Sequence, residues 1–321
     1  MEKVSVVIPV YNSEGTVRTV VEALHETMRS RIDYEVILVD DHSTDGSLGV
    51  CKQLAEEFPF VRCVHLSRNF GQQNAKLAGL HYVTGDYVVY MDDDLQNPPE
   101  LIFRLIDEIR KGYDVVYTRS GRKEQSLLKN LGSLGNDMMA RWLLRKPRGL
   151  RLSSYYIFTR LISDELRKFS GPFPYPSGTI FQLTTNIGTV EVPHRKREIG
   201  RSHYTFRKML ALWMHGFVGF SIAPLRLASL VGVTLSVFGV TLGAVLLVQK
   251  LVSPETVLGG WTSVMVAILV LSGAQLLFLG VLGEYVGRIL LMVNGKPQFL
   301  VKQVYGGGGD ESPKDGDRQV A

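Results

Sequence analysis

Two long stretches of this chain carry no charge. Leu227–Gln249 and Thr256–Leu282 contain no Asp, Glu, Lys or Arg. Each is longer than the about 20 residues a helix needs to cross a hydrocarbon core. Two soluble core helices of that length without charge would be unusual, so these stretches predict spans over about 227–249 and 260–282. Pro254, Gly259 and Gly260 mark a turn between them. Arg201, Arg207, Lys208 and Arg226 precede the first stretch, and Arg288, Lys296 and Lys302 follow the second. The short connection holds only Lys250 and Glu255. Basic flanks belong on the cytoplasmic side, so the expectation is a transmembrane hairpin over 225–283.

Just before it, Phe206, Met209, Leu210, Trp213, Phe217 and Phe220 recur at helical spacing, with Arg207, Lys208 and His215 on other faces. That pattern predicts an amphipathic helix over 205–224 lying in the membrane interface. A helix packed on a soluble core would give the same periodicity. A cytoplasmic segment over 284–305 and a charged, Gly-rich disordered tail over 306–321 complete the C-terminal part. The tail sets four acids against two bases, which leaves +7 for the rest of a chain whose total is +5. The densest basic run, Arg195–Lys208, adjoins the apolar region, which favours phosphate and lipid headgroups over nucleic acid.

Residues 1–204 mix charged and apolar residues as a soluble domain does. Val4–Val10, Glu35–Val39, Val61–Leu66, Tyr87–Met91 and Val115–Tyr117 read as strands. Helical patterns over about 15–30, 45–57, 72–83 and 99–111 alternate with them. This alternation predicts an α/β domain with a parallel sheet and right-handed crossovers. Further on, Lys123–Leu144 reads as a helix, Tyr155–Phe158 and Thr189–Val192 as short strands, and Gly171–Gly178 as a loop. Cys51 and Cys63 are too few for a disulfide framework and lack metal-ligand spacing. No secretory leader precedes the first strand, so this domain is expected in the cytoplasm.

In an open α/β sheet, ligands bind beyond the carboxyl ends of the strands. Two strands end in acids there: Asp40–Asp41 and Asp92–Asp93–Asp94. Alternation along an extended segment would send Asp92 and Asp94 to one side. Two such carboxylates suit a hard divalent cation that also binds substrate phosphates. A solvated acidic turn is the bland alternative. The turn Asp40–Gly46 also reads as a helix start, with Ser43 or Thr44 as N-cap.

Four motifs in order carry a resemblance: Val6-Val7-Ile8-Pro9-Val10-Tyr11-Asn12, the Asp40–Asp41 turn, Arg68-Asn69-Phe70-Gly71-Gln72, and Asp92 through Glu100. Together the chain resembles family-2 glycosyltransferases of the GT-A, Rossmann-like fold, in the polyprenyl-phosphate branch. The resemblance runs from about residue 3 to residue 304, including Leu282–Arg288. It implies transfer of a sugar from a nucleotide diphosphate, UDP before GDP, to a polyprenyl (undecaprenyl) phosphate, with inversion. It also implies Mg²⁺ or Mn²⁺ and a bacterial inner membrane with both termini cytoplasmic. Pro9, Tyr11 and Glu14 would line the nucleotide pocket, and Asp41 would hydrogen-bond the base. Asp92 would face the donor, Asp94 the metal, and Gln96 the sugar. Arg197, Ser202 and Tyr204 would meet acceptor and donor phosphates. Gly239, Gly243, Gly273 and Gly280 permit close helix packing, so a homo-oligomer is expected.

Three residues depart from the family pattern: His42 for Gly, His203 for Lys, and Ser154 near a place where many members carry Asp. No acid lies between Asp137 and Asp164. A phosphate acceptor has a second pKa of about 6 and needs no strong general base, so the missing acid fits a lipid phosphate. It would also fit an inactive scaffold. A processive polysaccharide synthase is the remaining alternative, but Met138 stands where its Gln-x-x-Arg-Trp motif needs Gln.

Overall fold

The computed structural model describes residues 2–94, 98–120, 153–169, 171, 174–192, 223–252, 260–294 and 297–307. The chain divides into two compact units, Met1–His203 with Gly295–Ala321, and Tyr204–Asn294.

The first unit is built on eight strands: β1 (Lys3–Val10), β2 (Asp33–Asp40), β3 (Val61–Leu66), β4 (Tyr87–Tyr90), β5 (Val115–Ser120), β6 (Tyr156–Thr159), β7 (Ile187–Val192) and β8 (Val301–Gly306). They form one sheet in the order β7-β5-β6-β4-β1-β2-β3-β8. Helices α1 (Val17–Met28), α2 (Ser47–Glu57), α3 (Gln72–Leu80) and α4 (Leu101–Ile109) connect the early strands. Helices α5 (Arg160–Arg167) and α6 (Pro176–Leu183) lie between β6 and β7.

Strand alternation sorts the core into two layers. Val4, Val6, Ile8 and Val10 of β1 join α1, α2 and α4 on one face. Val7, with Ile37 and Val39 of β2, joins α3, α5 and α6 on the other. The α1 stripe Val17, Val20, Val21, Leu24 and Met28 is wholly buried, as its spacing dictates. Gly79 lets α3 approach the sheet: a Cβ there would sit 2.5 Å from Val7 Cγ1.

Several expectations need correction. The sheet is mixed, since β6 runs antiparallel to β4 and β5, and β8 antiparallel to β3. The expected loop over Gly171–Gly178 gives way to α6 at Pro176, where proline suits the first helical turn. Gly306, assigned to the disordered tail, ends β8 with φ 80°. Helix α2 starts at Ser47 with Gly46 as N-cap and no side-chain cap. Ser43 and Thr44 instead bond the loop after β1, as described below. The expected helix over Lys123–Leu144, and residues 205–222 of the one expected over 205–224, lie outside the described residues; Ala223 and Pro224 begin a later helix.

The second unit contains two long helices, α7 (Ala223–Val252) and α8 (Trp261–Val293). Of the stretches read from the sequence as spans, α7 includes 227–249 and α8 includes 261–282. Among the described residues, one stretch, Leu271–Val293, is long and apolar enough to cross a membrane; Ser229–Gly239 is apolar but shorter. Leu276 and Leu279 stand 70% and 62% exposed, a large apolar surface for a helix in water.

Candidate functional site

The loops that follow β1, β2, β3 and β4 meet at the carboxyl ends of these strands. The chain passes from β1 to β2 on one side and returns to β4 on the other, so β1 and β4 flank a topological switch point. Ladder pairing between β1 and β4 stops at Val7 and Tyr90, where Met91 N–H donates to the Val7 carbonyl. Two residues on, buried Pro9 has no N–H with which to continue it. The segment after Met91 is thereby released from the sheet.

The first two loops are bolted together. Asn12, at φ 54°, accepts from Thr44 N–H and Thr44 Oγ1–H at 2.8 and 3.2 Å. Its own N–H donates to Ser43 Oγ at 3.1 Å. Ser13 N–H donates to Ser47 Oγ at 2.7 Å. Glu14 accepts from Gly46 N–H at 3.0 Å, a carboxylate at the start of α2 where the helix dipole favours it. Tyr11 is 47% exposed beside them.

The end of β2 and the loop after it carry two buried acids. Asp40 accepts from His65 Nδ1 at 2.7 Å. Asp41, expected against a base, is 1% exposed. Its oxygens accept from Phe70 and Gly71 N–H at 2.7 and 2.8 Å. Burial pushes its carboxyl above the usual aspartate value, and these two bonds oppose that shift. Gly71, at φ 89°, turns the chain into α3 there. His42 has φ 58°, a left-handed conformation that glycine adopts at no steric cost. Its ring stacks on that of His65, 5.7 Å between centroids.

The three consecutive acids part company. Asp92 Oδ1 accepts from Gln72 Nε2 at 2.9 Å and faces Lys76 Nζ at 3.6 Å. Asp92 Oδ2 accepts from Ser154 Oγ. Asp93 turns to the β1 loop and accepts from Ser13 Oγ; burial raises its carboxyl above the usual value. Asp94 is exposed. Among the described residues, no three His, Cys, Asp or Glu side chains converge as a ready metal cage. Exposed carboxylate oxygen is nonetheless the donor that Mg²⁺ or Mn²⁺ takes, with phosphate completing the shell.

The structure thus brings Pro9, Tyr11, Glu14, Asp41, Asp92 and Asp94 to one end of the sheet. Gln96, Arg197, Ser202 and Tyr204 lie outside the described residues. Sequence reasoning missed Ser13, His65 and Lys76. Lys76 had a faint signal, since five of its neighbours in Ala75–Leu80 are apolar.

Comparison with known proteins agrees with this architecture. The model of "Glycosyl transferase family 2" matches residues 5–164. An undecaprenyl-phosphate 4-deoxy-4-formamido-L-arabinose transferase from Yersinia enterocolitica is 35% identical over 314 residues, 95% of this chain and 94% of that protein. A glycosyltransferase of Bacillus subtilis, YkcC, itself uncharacterized, is 34% identical over 304 residues, 94% of each chain. Among solved structures, glucosyl-3-phosphoglycerate synthase from Mycobacterium tuberculosis, in complex with uridine-diphosphate, aligns with a TM-score of 0.50 at 20% identity. That alignment covers 68% of this chain and 78% of that one, and bears on the fold alone.

Proposed function

This chain belongs to glycosyl transferase family 2, and from that premise we propose that it transfers a sugar from a nucleotide diphosphate, UDP first, to undecaprenyl phosphate at a membrane. One observation carries the reading. A single chain joins a carboxylate cluster at the switch point of an α/β sheet to a helix apolar enough to span a bilayer. The Yersinia relative, named for an undecaprenyl-phosphate acceptor, matches 95% of the chain. The catalytic domain and both termini would face the cytoplasm, with the helices forming a hairpin.

The reaction needs little from the protein beyond placement and charge. A phosphate oxygen of the lipid attacks the anomeric carbon, and the bond to the nucleoside diphosphate breaks with its electron pair. Attack opposite the leaving group inverts the centre. The acceptor oxygen is already anionic near neutral pH, so no general base is required, which suits a chain with Ser154 beside Asp92. Tyr11, Glu14 and the loop after Pro9 would bound the nucleotide pocket, and Asp41 would hold Phe70–Gly71 against its base side. Asp92 would orient the donor sugar, with Gln96 beside it. Arg197, Ser202 and Tyr204 would receive the phosphates. Asp94 would hold Mg²⁺ or Mn²⁺, which offsets the charge of the departing diphosphate.

The test is transfer from radiolabelled UDP- and GDP-sugars to undecaprenyl phosphate, with Mg²⁺ or Mn²⁺ and with chelator. We expect metal-dependent label in the lipid phase. Asp94→Asn should cut it by about 10²–10³-fold, the scale of losing one charge stabiliser of a transition state, while the protein still folds. Folded wild-type protein that labels no lipid with any donor would reject the reading in favour of an inactive scaffold.

A further inference from the structure

Under Asp92 lies a cation with no assignment so far. Lys76 sits on α3 within Ala75–Leu80, a run buried throughout, and is itself 2% exposed. Its ammonium is 3.6 Å from Asp92 Oδ1, 3.5 Å from the Ser154 carbonyl, and 5.4 Å from the centre of the Tyr90 ring. Tyr90 Oη in turn donates to the Lys76 carbonyl at 3.2 Å. Burial lowers the lysine's pKa, and Asp92 opposes that shift.

An ammonium inside a helix–sheet layer is costly unless paired. Packing does not require one: methionine has similar length and no charge. The cation is aimed at one carboxylate, and that carboxylate stands in the donor site. We infer that Lys76 is a positioning residue: a fixed internal counter-charge that holds Asp92 in place and offsets it, so that three consecutive aspartates can receive an anionic nucleotide. The inference rests on the reading of Asp92–Asp94 as the donor site.

Three side chains from two parts of the chain share the task. Gln72 and Lys76 lie one turn apart on α3, where residues i and i+4 share a face. Ser154 comes from the segment ahead of β6. Both oxygens of Asp92 are therefore partnered before any donor arrives, which is what preorganisation demands. Without Lys76, Asp92 would keep its two neutral donors but not its counter-charge. It would then add to the repulsion that Asp93 and Asp94 already exert on a diphosphate.

The experiment uses full-length protein in detergent: wild type, Lys76→Met, Asp92→Asn and the double variant. Thermal unfolding is measured, with affinity for UDP and GDP by calorimetry in the presence of Mn²⁺, and kcat and donor KM. Lys76→Met should fold yet bind nucleotide about tenfold more weakly, a typical size for one coupled charge pair. Adding Asp92→Asn should restore the affinity but not kcat, because the charge is balanced while the oriented carboxylate is gone. Unchanged affinity in folded Lys76→Met, or a loss that Asp92→Asn does not reverse, would overturn the inference. If Lys76→Met does not fold, a folded double variant supports the same dependence, and an unfolded one rejects it. The affinity measurements need no lipid. Protein that moves no sugar to undecaprenyl phosphate, yet shows the reversed affinity loss, would sink the acceptor reading and keep the role of Lys76.

Discussion

His42 shows how much a single backbone angle can ask of a residue. Its φ of 58° is open to glycine at no steric cost, whereas a side chain there costs about 1–2 kcal/mol. The stack on His65 offsets part of that cost. His42→Gly should therefore leave stability nearly unchanged. His42→Val, with a branched Cβ, should lose about 1–2 kcal/mol relative to the glycine variant, measured by denaturant unfolding. Equal stability of the two would mean that the turn can relax out of the left-handed region. That His42 stands where the resemblance implies glycine was legible in the sequence; the stacked His65 ring was not, because it arrives from another strand.

At the scale of elements, α3 is the most demanding piece. It packs so closely on β1 and β2 that a Cβ on Gly79 would meet Val7 at 2.5 Å and Val39 at 3.0 Å. Gly79→Ala should cost about 1–3 kcal/mol by overpacking. Gly49 in α2 is the control, since a Cβ there has nothing within 4 Å. Gly49→Ala should stabilise by about 0.5–1 kcal/mol through helix propensity. The same sign for both substitutions, read from thermal unfolding, would refute this account of the packing. The early strands and helices were legible because their periods of two and 3.6 residues are local. The short helices α5 and α6 were not. Their eight residues give barely two turns of pattern, and α6 begins within a Pro/Gly-rich stretch that reads as loop.

For the whole molecule, the last strand to join the sheet is β8. After α8 the chain returns and pairs antiparallel with β3, covering an edge that would otherwise offer unpaired N–H and C=O groups. Phe299, Val301 and Val304 are buried by this return, each contributing about 1.5–3 kcal/mol. Deleting residues 297–321 should lower the Tm and promote self-association, seen by thermal unfolding and light scattering. A monodisperse deletion variant with wild-type Tm would show that β8 does not stabilise the sheet. Val301–Gly306 read as a plain C-terminal segment because one short strand has no partner in its own sequence neighbourhood.

The α/β order of the first unit, the two uncharged stretches, and the carboxylates at the ends of β2 and β4 are all legible from the residues alone. These follow from local periodicity, composition and motif, which need no partner to be read. The mixed sheet, and the pairing of β8 with β3 at its edge, could be read only from the folded chain. It alone split the three aspartates between Lys76, Ser13 and solvent exposure. Those outcomes depend on which distant residues share a volume, and a buried lysine is written with the same letter as an exposed one.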